Sequence, residues 1–144
     1  MITQKKLLPF LVFFLLFNKL FADENITIFQ RNAINYNSDY FHIDDEFTIL
    51  GNMKLNGKNI VLANNVHIWG ESQRATWRFL LFLADGTFLG MYYGIAYDDI
   101  RIEGQRIYFS FEPEDGNVID FSKGIPNKIR IDGHVIPYVK INDL

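Results

Sequence analysis

From residue 47 onward, apolar and polar positions alternate instead of recurring every three or four residues. The apolar runs are short and rich in β-branched and aromatic residues. Asn-Gly, Asp-Gly and Glu-Gly pairs punctuate them, the pattern of half-buried strands joined by tight turns. The densest run covers residues 77–111. It predicts a strand, an Asp85-Gly86 turn, a second strand, then Ile100 to Ile102, a Glu103-Gly104 turn and a strand from Ile107.

Elsewhere the pattern predicts strands over 26–29, 47–55, 60–62, 66–69, 118–121, 128–131 and 135–141. Asn56-Gly57 is the strongest hairpin signal. Residues 31–46 are rich in Asn, Asp and Ser and lack a period, so they predict a long loop anchored by Ala33-Ile34 and Tyr40-Phe41. Pro137 removes a ladder donor, which predicts an edge or bulged C-terminal strand. No stretch after the N-terminal segment sustains a helical period for three turns.

Three segments share one hairpin pattern, beginning at Met53, Ile100 and Ile129: apolar, basic, apolar, Asn/Asp/Glu, Gly, two variable residues, Ile. For the second, a four-residue loop sets Ile102 opposite Ile107. A two-residue loop centred on Glu103-Gly104 would oppose Arg101 and Arg106, a like-charge pair. The wider loop is therefore expected.

The fold class that follows is all-β: an antiparallel barrel-like or sandwich domain of about eight to ten short strands. Gly90 and Gly94 flank Tyr92 on one strand face, where a sheet can bend at a barrel corner, which favours the barrel. Between Trp77 and Leu83 both faces are apolar, so the 31–46 loop, a second sheet or a partner chain must cover the outer face.

The first residues change the picture. Lys5-Lys6, an apolar run of about eleven residues from Leu7 to Phe17, and Ala22 before Asp23 have the anatomy of a signal peptide. The run is shorter than the roughly 20 residues that span a bilayer; an uncleaved anchor is the rival reading. The expected organisation is a leader over 1–22 and a single domain over 23–144, periplasmic or secreted, with no stable membrane span once the leader is removed.

The chain carries a net charge of −3, and removing a leader with three lysines and no acids leaves −6. An acidic domain without a Lys/Arg cluster argues against nucleic acid as a partner. Cysteine is absent, which removes disulfides and thiol chemistry. The core must therefore rest on packing, and aromatic residues make up 16% of the chain, enough to supply it.

Enzyme signatures are missing: no Gly-x-Ser-x-Gly, no His-Glu-x-x-His, no phosphate loop. No catalytic, metal or cofactor residue is therefore assigned. His42 to Glu46 places an imidazole near three carboxylates, and reads as an acidic solvated loop. His67, between Val66 and Ile68, reads as the outward side of a strand. Asp98, Asp99, Glu103, Glu112 and Glu114 are loop-edge carboxylates that a small hydrolase would need.

Two aromatic groups carry the binding expectation. Trp69 and Trp77 flank a polar loop with Arg74, residue types enriched at binding hot spots. Tyr92, Tyr93 and Tyr97 lie on a strand able to floor a pocket. The expected function is a non-catalytic exported domain that binds a small apolar ligand or a partner protein through Trp69, Arg74, Trp77, Tyr92, Tyr93 and Tyr97. A small envelope hydrolase working through loop carboxylates is the alternative, and a structural, homo-oligomeric envelope subunit is another.

Overall fold

A computed structural model describes residues 28–95, 100–109 and 117–141. It is mostly β, with one short helix. In chain order the elements are helix α1 (28–36), β1 Glu46–Leu55, β2 Lys58–Trp69, β3 Arg74–Leu83, β4 Phe88–Tyr93, β5 Arg101–Glu103, β6 Arg106–Tyr108, β7 Val118–Asp120, β8 Lys128–Ile131 and β9 His134–Lys140. Six strands form one antiparallel sheet in the order β1-β2-β3-β4-β9-β8, and β5-β6-β7 form a second sheet.

The large sheet curls into a half-barrel. Its concave face contributes Leu62, Phe79, Leu81, Tyr92, Ile131 and Ile136 to one core, and Ile107, Ile119 and Phe121 of the small sheet pack into the same core. The small sheet thus fills the open side of the curl. Gln105 donates to the Lys54 carbonyl at 2.9 Å, tying it to β1, and Asn117 and Asp132 exchange hydrogen bonds of 2.8 and 2.9 Å near β8.

The convex face carries a second core of Ala63, Leu80, Phe82, Phe88 and Met91, covered by Phe29, Ala33, Tyr36 and Phe41. The doubly apolar β3 is explained by this cover. The 31–46 region, one of the expected covers, supplies Ala33, Tyr36 and Phe41, with Phe29 just before it, and its first six residues are helical instead of a loop. Bulges make the two faces possible. Ile49 pairs with Ala63 and Gly51 with Leu62, so Leu50 is an extra residue. It leaves Phe47 and Ile49 outside while Met53 and Leu55 turn inward.

Four expectations are corrected. Residues 28 and 29 lie in a helix and not in a strand, because Phe29, Ala33 and Tyr36 recur at helical spacing and bury one stripe on the sheet. The runs 60–62 and 66–69 belong to one strand, β2. β9 is interior, between β4 and β8. Pro137 is tolerated there because the β4 ladder ends at Tyr92↔Tyr138, so no partner awaits its missing N–H on that side. The β5–β6 hairpin does pair Ile102 with Ile107, but through a two-residue Gly104-Gln105 turn. That register sets Glu103 against Arg106, an opposite-charge pair.

Gly90 sits where β9 comes closest. A Cβ there would meet the Val139 carbonyl at 2.4 Å and the Tyr138 hydroxyl at 2.5 Å, at φ +152°. No helix among the described residues is long and apolar enough to cross a membrane.

Candidate functional site: a polar cluster under an aromatic rim

Strand pairing brings the end of β2, the start of β3 and the end of β4 to one end of the half-barrel. Asn65 pairs with Arg78, which pairs with Tyr93, and His67 pairs with Thr76. Alternation places Asn65, His67, Arg78 and Tyr93 on the convex face beyond the reach of α1. The loop between α1 and β1 folds over them. Its turn is closed by the Asp45 amide donating to the His42 carbonyl (3.2 Å) and the His42 amide donating to Asp45 Oδ2 (3.0 Å).

Asp45 is the hub. Its side chain is 1% exposed, and it receives Asn65 Nδ2 at 3.0 Å on Oδ2 and faces His67 Nδ1 at 2.6 Å with Oδ1. Arg78 Nη1 donates to Asn65 Oδ1 at 2.8 Å and lies 3.8 Å from Asp45 Oδ2. The guanidinium also lies over the rings of Phe41, Tyr93 and Tyr40 at 5.3, 5.5 and 6.0 Å. Its Nε has no hydrogen-bond partner among the described residues, so aromatic faces supply part of the solvation that water would.

Burial pushes the Asp45 carboxyl up, but the hydrogen bonds from the His42 amide, Asn65 and His67 outweigh it and hold it below the ordinary aspartate range. An ionised Asp45 requires the proton of a neutral His67 to sit on Nδ1, leaving Nε2 as an acceptor. His42 stacks on His67, centroids 4.6 Å apart and planes at 26°. Together with Asp44, Glu46, Val66 and Ile68 they line a cleft of about 320 Å³.

This arrangement can accept a proton or a hydrogen bond at His67. The hydroxyl opposite it, Thr76, accepts the Trp69 indole N–H at 3.0 Å. Near-parallel rings do not aim their in-plane lone pairs at one ion about 2.0–2.1 Å from both nitrogens. No group of three or more His, Asp or Glu side chains among the described residues is placed to hold a metal.

The residues expected from sequence are divided by the fold. Trp69 is 46% exposed with Arg74 at 5.6 Å from its ring centroid. Trp77 stands on the opposite, concave face, two residues before Phe79. Tyr92 is buried and its hydroxyl donates to the Pro126 carbonyl at 2.6 Å, whereas Tyr93 points outward over Arg78. Tyr97, Asp98, Asp99, Glu112 and Glu114 lie outside the described residues. Glu103 bonds Arg101 at 2.8 Å on the exposed surface. Asp45 reads from sequence only as part of an acidic solvated loop, which its buried side chain corrects, and Asn65 and Arg78 are not singled out there. The signal available was that Asn65 continues the face of Val61 and Ala63, and Arg78 the face of Leu80 and Phe82, which is apolar in both strands.

Around this cluster Tyr40, Ile43, Ile68, Trp69 and Tyr93 remain exposed, Ile43 by 72%. The carboxylates of Asp44, Glu46 and Glu71 are exposed at the same end. Comparison with protein-family models, curated proteins and solved structures gives no match to this chain.

Proposed function

We propose that the protein is an exported, non-catalytic binding domain whose aromatic rim docks a partner protein presenting basic and apolar side chains. The observation that carries this reading is the exposure of Tyr40, Ile43, Ile68, Trp69 and Tyr93 around a buried, internally neutralised Asp45–Arg78 pair. Exposed large apolar groups around a rigid base are the composition of an interface centre. Arg78 is spent on Asp45. Arg74 over Trp69 and Arg31, which lines a groove with Phe41, His42 and Ile43, are then the rim's arginines among the described residues, outnumbered by the exposed carboxylates of Asp44, Glu46 and Glu71. The surface is acidic and selects a basic partner.

The test is site-specific photo-crosslinking in cells, with the probe at Ile68 and a control probe at Asn59 on the β1–β2 hairpin. One protein species captured at Ile68 alone, lost in Trp69→Ala and weakened in Glu46→Lys, supports the reading. Equal capture at both positions, or insensitivity to both substitutions, overturns it. Capture of a second copy of the chain overturns it in favour of a homo-oligomeric subunit.

A further inference from the structure

At the opposite end of the strands, the β1–β2 and β3–β4 turns, the loop before β8 and the end of β9 surround an open groove of about 610 Å³. It is the mouth of the half-barrel, a preferred place for a small-molecule site. Its walls are apolar: Leu55, Leu89, Ile125 and Ile141. Its polar groups include Tyr138, whose ring leans over Tyr92 at 5.2 Å, and the Lys140 ammonium. Among the described residues no aspartate or glutamate lines it, in a chain whose net charge is −3.

We propose that this mouth binds a single-chain amphipathic carboxylate, with the acyl chain along Leu55, Leu89 and Ile125 and the carboxylate on Lys140. An apolar trough repels charge along its length, and the one cation on its wall selects an anionic head. The neutral Tyr138 hydroxyl can donate to the same head. A cationic or uncharged amphiphile gains the wall contacts without the ion pair. The inference is independent of the rim at the other end.

The experiment uses protein recovered from cells expressing the full 144-residue sequence. It is titrated with decanoate, decanol and decyltrimethylammonium by calorimetry and by NMR shift mapping. Decanoate is expected to bind saturably at one site, with shifts at Leu89, Ile125 and Tyr138, and more tightly than the other two. Lys140→Glu should weaken decanoate about tenfold and leave decanol unchanged. Ile125→Trp should plug the trough and weaken both, with an unchanged thermal midpoint reporting an intact fold. Absence of saturable decanoate binding overturns the proposal. So do equal affinity for the three amphiphiles, no effect of Lys140→Glu, or shifts confined to the Trp69 end.

Discussion

At the residue scale, Asp45 is the side chain on which the most depends. Replacing it with Asn leaves the Arg78 guanidinium buried without a counter-charge and turns an acceptor toward His67 into an amide. Breaking a buried pair on one side costs about 3–5 kcal/mol, so Asp45→Asn should lower stability in urea at neutral pH by about 3 kcal/mol. Because the carboxyl is held below its ordinary 3.8 in the folded state, its contribution is complete above that value and drains away as pH falls beneath it. The variant should therefore lose part of the wild-type acid sensitivity. Two tyrosines act at the other end of the scale. Burial, and secondarily Tyr138, drives the Tyr92 hydroxyl above the tyrosine range, and burial pushes Tyr138 up to about 12. Their neutral forms stabilise the fold fully below the unfolded value of 10.0, and that stability is lost as pH rises past it. Tyr92→Phe strands the Pro126 carbonyl and should cost about 1 kcal/mol while flattening the alkaline limb of the stability profile. Asp45 was hard to read from sequence. Asp45 sits among Asp44 and Glu46, and only the partners that the strands bring to it distinguish it from its neighbours.

At the element scale, the close approach of β9 to β4 over Gly90 is the tightest backbone fit described. Gly90→Ala drives a methyl into the Val139 carbonyl and the Tyr138 ring. A loss of about 2–3 kcal/mol is expected, with faster amide exchange confined at first to the β4–β9 ladder. Unchanged exchange in that ladder would show that the approach is not limiting. Strands were legible because a period of two needs only a few residues to show itself, and each turn carries its own chemistry at Asn56-Gly57, Asp85-Gly86 and Asp132-Gly133. Helix α1 was not. Its nine described residues make about two and a half turns, within which only Phe29, Ala33 and Tyr36 mark the apolar stripe, and Ile28-Phe29 has strand-like composition. Its stability comes from Phe29 and Ala33 against Phe82 and Met91, contacts that tertiary packing supplies.

For the whole molecule, the two proposed surfaces stand at opposite ends of strands such as β3, whose ten residues span roughly 30 Å. Sites so far apart with no shared partners should behave additively. Trp69→Ala should abolish capture at the rim and leave decanoate affinity unchanged. Lys140→Glu should do the reverse, and the double variant should show the sum of the two losses. Departure from additivity, read by the same calorimetry and crosslinking, would mean that the curled sheet couples its ends. The sequence by itself determined the all-β class, most strand positions, the turns and the need for a cover over β3, because these follow from side-chain alternation and local turn geometry. Only the tertiary structure decided what lies side by side. It turned Trp69 and Trp77 to opposite faces, placed Pro137 inside the sheet, let β5–β7 fill the open side of the barrel and gathered Asp45, Asn65, His67 and Arg78 from three segments. Register across strands fixes those neighbours, and register is a property of paired chains that no single strand carries.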